Sequence, residues 1–139
     1  MQFREFQVTD IPAARALWEA SPGVGLSGSD ATGPLTTFLS RNPSTSFVAT
    51  VEGEIVGTIL CGHDGRRGLI HHLVVAERYR RRGLGRGLLD RGLAALKGHG
   101  ISKCHLLVFR SNQEGLAFWR KIGADERTEL ALFSVATEP

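Results

Sequence analysis

Arg80-Arg81-Arg82-Gly83-Leu84-Gly85, in the middle of the chain, has the composition of an anion-binding turn. It stands between an apolar run, Leu69 to Val75, and a stretch in which leucines recur at helical spacing. The first backbone N–H groups of a helix lack partners within it and carry partial positive charge. Glycine admits close approach to that backbone and arginine adds full charges, so a phosphate or pyrophosphate suits the turn. A solvated basic turn that only caps the helix has the same composition. Two familiar phosphate motifs do not fit. Arginines separate Gly83, Gly85 and Gly87 from the strand, unlike a dinucleotide fingerprint, and no G-K-[ST] occurs for a nucleotide P-loop. Just upstream stand the adjacent His71 and His72, and an imidazole with an unperturbed pKa of about 6.5 suits a proton acceptor at neutral pH.

The elements that must hold these residues follow from periodicity. Leu69 to Val75 reads as a strand, and alternation puts Leu69, His71, Leu73 and Val75 on one face and Ile70, His72 and Val74 on the other. Only one of the two histidines can then face a given site. Leu84, Leu88, Leu89, Leu93 and Leu96 line one side of the following helix, which Gly98-His99-Gly100 stops. Upstream, Gln2 to Val8 is expected as a strand, with Phe6 and Val8 on one face. Thr9 or Asp10 then caps a helix that admits Pro12 in its first turn and turns Ile11, Ala14, Leu17 and Trp18 inward. Ser21 to Pro34, rich in glycine, serine and proline, reads as a loop. Leu35, Phe38 and Leu39 mark a short helix that ends before Pro43.

Ser46 to Val51 and Glu54 to Gly62 form a hairpin about Glu52-Gly53. Downstream of the long helix come a strand at Lys103 to Phe109, a helix at Gln113 to Ile122 and a closing strand at Glu129 to Val135. This order predicts an α+β fold: a mixed, mostly antiparallel sheet of six to seven strands with helices on both faces.

The 139 residues, 42% hydrophobic and 22% charged, fit a single domain spanning 1–139. A net charge of +3 suits an anionic ligand without demanding nucleic acid. The positive charge is concentrated in Arg78 to Arg91, with Tyr79 alone available for stacking, so no nucleic-acid partner is expected. No apolar run reaches the length of a membrane span and the first residues lack a signal-peptide core, which predicts no membrane partner. Cys61 and Cys104 lie in strand-like runs and read as buried thiols, in keeping with a cytoplasmic protein. Cys61, His63, Asp64, His71 and His72 match no compact metal-ligand spacing, so no metal is expected.

An apolar strand followed by R-x-x-G-x-G, here Leu73-Val74-Val75 and then Arg80, Gly83 and Gly85, resembles the GNAT superfamily of acyl-CoA-dependent N-acetyltransferases. The resemblance continues at Asn112-Gln113-Glu114-Gly115-Leu116-Ala117-Phe118-Trp119, where that family has N-x-x-A-x-x-F-Y. It implies transfer of an acetyl group from acetyl-CoA to a primary amine, of a small molecule or a protein, by direct attack in a ternary complex. Coenzyme A would be held by Leu73, Val74 and Val75, by Arg80, Arg81, Arg82, Gly83, Gly85 and Arg86, and by Asn112, Phe118 and Trp119. A backbone N–H of the central strand, here that of Val75, would meet the developing oxyanion. Many members carry a glutamate base on this strand. His71 holds that place here, with His72 as the second candidate. Trp119 stands where a tyrosine often protonates the leaving thiolate, and an indole N–H cannot do so. The Ser21–Pro34 segment commonly walls the acceptor site, which makes Ser27, Ser29 and Asp30 candidates for contacting the acceptor. Homodimers are common in the family. A non-catalytic acyl-CoA-binding or sensor protein of the same fold is the alternative.

Overall fold

Glu52 and Gly53 both take the left-handed backbone a tight hairpin turn needs, with φ of 50° and 80°. The computed structural model describes residues 1–138, as one unit of residues 1–107 and a second beginning at Val108. In the first unit the hairpin joins β2 (Phe47–Val51) to β3 (Glu54–His63). β1 (Gln2–Glu5) pairs antiparallel with β2, and β4 (Gly68–Val75) antiparallel with β3. β5 (Cys104–Leu106) pairs parallel with β4, so the sheet of the described residues has five strands in the order β1-β2-β3-β4-β5.

This is the mixed, mostly antiparallel sheet expected, with fewer strands than the six to seven predicted. Lys103 to Phe109 contracts to the three residues of β5, and Glu129 to Val135 forms no strand. β-propensity describes fitness for a pleated, half-buried surface. Leu130, Leu132, Phe133 and Val135 are instead 62–94% exposed. The first strand is also shorter than read. It ends at Glu5, and Val8 is exposed in a 3-10 turn.

The sheet carries apolar layers on both faces. On one, α1 (Ile11–Glu19) and α2 (Thr32–Arg41) contribute Ile11, Ala14, Trp18 and Leu35 to a core shared with Phe6, Val48, Leu60 and Val74. On the other, α3 (Leu84–Gly98) buries Leu84, Leu88, Leu89 and Leu96, while Leu93, predicted to join them, is 41% exposed. Gly92 takes the inward place. A Cβ there would lie 2.7 Å from Cys61 Sγ, so this helix approaches the sheet through a missing side chain. Cys61 and Cys104 are free thiols, and burial pushes the Cys61 thiol up to about 12.

Asp10 ties β1 to α1. Its carboxylate accepts two bonds from Arg4, at 2.7 and 2.9 Å, and the Gln7 N–H at 2.8 Å. The Arg4 bonds hold its pKa below the usual carboxylate range, against the opposing effect of burial. That stabilisation is therefore present above the ordinary Asp value of about 3.9 and is lost as pH falls through the lowered one. Asp10 stands at the N-cap of α1 without a side-chain cap bond, so the cost of Asp10→Ala, about 1–2 kcal/mol at neutral pH, comes from the Arg4 and Gln7 bonds. Urea midpoints should differ at neutral pH and converge in acid; equal midpoints at neutral pH would remove the tie from the account.

Candidate active site

The central strand departs from strict alternation where the chemistry was expected. Leu60 of β3 pairs with His71, but Thr58 pairs with Val74, so three steps along β4 answer two along β3. His72 and Leu73 both oppose Ile59, a β-bulge, and His72 takes a left-handed φ of 46°. The extra residue brings both imidazoles to the α1–α2 face. The ring of His71 meets Phe38 edge-on at 5.9 Å, and that of His72 lies 4.5 Å from Trp18. The expectation that alternation separates the two histidines is overturned. Val74 turns to the same face, where its side chain is buried in the core.

A chain of hydrogen bonds fixes the bulge. Trp18 Nε1 donates to Thr58 Oγ1 at 2.8 Å, and that hydroxyl donates to the His72 carbonyl at 2.8 Å. His72 Nε2 meets Asp30 Oδ1 at 2.7 Å, with only 14% and 12% of the two side chains exposed. The other Asp30 oxygen accepts the Ser27 N–H at 2.9 Å, and Ser27 Oγ lies 2.7 Å from Ser29 Oγ. The predicted acceptor residues Ser27, Ser29 and Asp30 are thus knitted to one another and, through Asp30, to the strand. Sequence reasoning placed Asp30 and His72 in separate roles; a separation of 42 positions gives no sign of their contact.

Between these groups lies a hollow of about 300 Å³. Ser27, Ser29 and Asp30 form one wall, Leu35 and Phe38 another, and Leu60, His71 and His72 the sheet side. Desolvation lowers the His71 pKa below the ordinary imidazole value; His72 adds to this, and Asp30 opposes it. His71 is therefore neutral at neutral pH, the state a proton acceptor needs.

At its far end β4 outruns its neighbour. β5 pairs only with Gly68, Leu69 and Ile70, whereas β4 continues to Val75. Val75 faces Gly57, and the next residue, Ala76, donates its N–H to Val56 O at 2.8 Å. Antiparallel bonding alternates, so the Val75 N–H and C=O are directed away from β3. Arg80 Nε takes that carbonyl at 3.0 Å, which folds the arginine turn back along the strand. Gly83, with φ of 82°, is the N-cap of α3 and offers no side-chain cap. The bond from Gly87 N to Gly83 O, 2.9 Å long, opens the helical ladder, leaving the N–H groups of Leu84, Gly85 and Arg86 ahead of it. Arg81 has a left-handed backbone, Arg82 lies over the Tyr79 ring at 5.4 Å, and Arg86 pairs with Asp90 at 3.0 Å. Uncapped amides in a turn rich in arginine fit a diphosphate.

In the second unit, Asn112 caps α4 (Gln113–Lys121), its Oδ1 accepting the Gly115 N–H at 2.9 Å. Phe118 and Trp119 meet edge-on at 5.1 Å. Among the described residues, no three His, Cys, Asp or Glu side chains converge as a metal ion requires. Nor is any helix there long and apolar enough to cross a membrane.

Residues 12–124 match the acetyltransferase (GNAT) family. The chain belongs to that family. It is accordingly an acyltransferase enzyme of GNAT fold. One relative of this GNAT protein is an acetyltransferase of Pectobacterium atrosepticum, 32% identical over 88% of this chain and 86% of its own. Among solved structures, Ard1 from Thermoplasma volcanium superposes with a TM-score of 0.77 at 26% identity, covering 88% of this chain and 80% of its own. The PaiA N-acetyltransferase of Thermoplasma acidophilum, solved in complex with coenzyme A, shares the fold with a TM-score of 0.73. It is 21% identical, over 88% of this chain and 87% of its own.

Proposed function

We propose that this protein moves an acetyl group from acetyl-CoA to a primary amine by direct attack within a ternary complex, acting as one domain. The observation that carries the reading is the course of β4. It bears a neutral imidazole beside a hollow, runs on past the end of β5, and leads straight into a turn of uncapped amides and arginines. The turn, with Arg80 to Arg82, Gly83, Gly85 and Arg86, holds the diphosphate. The backbone of Leu73 to Val75 lies along the pantetheine arm, and the Val75 N–H meets the thioester oxygen. The roles of Asn112, Phe118 and Trp119 toward coenzyme A rest on the family motif.

His71 takes the ammonium proton of the acceptor, so that the amine nitrogen reaches the thioester carbon as a free base. Attack forms the nitrogen–carbon bond, and the carbon–sulfur bond then breaks. The nitrogen gives up its second proton to water as the amide forms, and the thiolate recovers a proton from water, since Trp119 has none to give. His72, held by Asp30, positions the acceptor wall.

Thiol release from acetyl-CoA, with and without a panel of amines, tests the reading alongside the rise in melting temperature on adding coenzyme A. Amine-dependent release with a matching acetylated product is the expected result. A rise in melting temperature with no product from any amine would favour the non-catalytic acyl-CoA-binding alternative, and neither signal would end both.

A further inference from the structure

We infer that the acceptor is a small monoamine with a compact apolar body, and that Phe38 and Leu60 select it. The inference rests on the acetyl-transfer reading and adds the substrate class. Charge makes the first argument. Asp30 is the sole carboxylate among the described residues lining the hollow, and both its oxygens are engaged, by His72 Nε2 and by the Ser27 N–H. One partly answered carboxylate matches one ammonium. A polyamine or an aminoglycoside would bring further cationic centres to a wall that has no second carboxylate to receive them.

Shape and polarity make the second. The apolar lining of the hollow is Leu35, Phe38 and Leu60. Leu35 and Leu60 are rooted in the core, so this side is fixed. Phe38 stands against Gly62, where a Cβ would come within 2.8 Å of its ring, and meets the His71 imidazole edge-on. An amine nitrogen at His71 therefore sets its carbon chain against Phe38. At about 300 Å³ the space is at the small end of ligand pockets, enough for a short alkyl or aryl group. A peptide would bring backbone N–H and C=O groups that need partners, and Leu35, Phe38 and Leu60 offer them none.

The test is competition among amines for the intact protein with saturating acetyl-CoA: phenethylamine and isoamylamine against spermidine, kanamycin and a peptide with a free N-terminus. The apolar monoamines should exceed each of the others by about tenfold or more in kcat/KM, the scale on which apolar pockets discriminate. Preference for spermidine, kanamycin or the peptide overturns the inference and leaves acetyl transfer standing. No acetylated product from any of them overturns both. Phe38→Ala should then lower kcat/KM for phenethylamine about tenfold more than for methylamine, which is too short to reach the ring. Phe38→Leu, which keeps the wall apolar, should rescue most of the loss. Equal losses for both amines, with the coenzyme A melting shift retained, would assign Phe38 a structural part only.

Discussion

His71→Ala is expected to lower kcat for amine acetylation at neutral pH by about 10²–10⁴-fold, the usual contribution of a positioned proton acceptor. Coenzyme A affinity should stay near wild type, because His71 faces α2 and the hollow, away from the arginine turn. The pH profile gives the sharper reading. Desolvation and His72 lower the His71 pKa while Asp30 opposes them, so its base form persists below the ordinary imidazole value of about 6.5. Activity of the wild type should therefore hold as pH falls past that value and drop only lower, as the imidazole protonates. The amine's own ionisation, near pH ~10, gives a separate limb. In His71→Ala the acid limb should vanish. If turnover is unchanged, and His72→Gln carries the loss instead, the proton goes to the other ring.

The second large effect belongs to Gly83. Gly83→Val should weaken coenzyme A binding by at least about tenfold while the sheet remains folded. A Cβ at this position meets nothing within 4 Å, so the effect lies in the backbone and not in crowding. With φ of 82°, the turn holds a conformation that costs an L-residue about 1–2 kcal/mol, and a β-branched one more. Relaxation of that strain rotates the amides of Leu84, Gly85 and Arg86 out of alignment. A ligand that restores them must supply the difference, and about 1.4 kcal/mol is tenfold in Kd. Gly83→Asn, which tolerates the left-handed region, should keep most of the affinity. Calorimetric titration decides it. Wild-type affinity in the valine variant would show that the diphosphate does not depend on this turn.

Much of the frame was legible because local chemistry dictates it. Glu52-Gly53 can hardly be anything but a hairpin turn, the leucine period fixes α3, and Asn112 caps the helix its sequence announces. The turn of arginines and glycines lies where an apolar strand hands over to that helix. What escaped has a common cause. A period of two carries no mark of one inserted residue, so the bulge at His72 was invisible, and with it the shared face of the two histidines. The Asp30–His72 contact belongs to tertiary structure alone. Glu129 to Val135 has a strand's composition, but a strand also needs a partner, and composition does not supply one.

The bulge has one more implication. Excise His72 in thought, and β4 becomes a regular strand: His71 and Val74 keep their face, Ile70 and Val75 keep theirs, and every pairing with β3 survives. The β3–β4 ladder does not need this position; its contacts are with Thr58, Trp18 and Asp30. It is an added rung, inserted where the strand borders the hollow, and its side chain answers to Asp30 and Trp18 there. Substitution at residue 72, among side chains that accept a left-handed backbone, should therefore act on the wall of the hollow through Asp30 while the β3–β4 pairing stays in place.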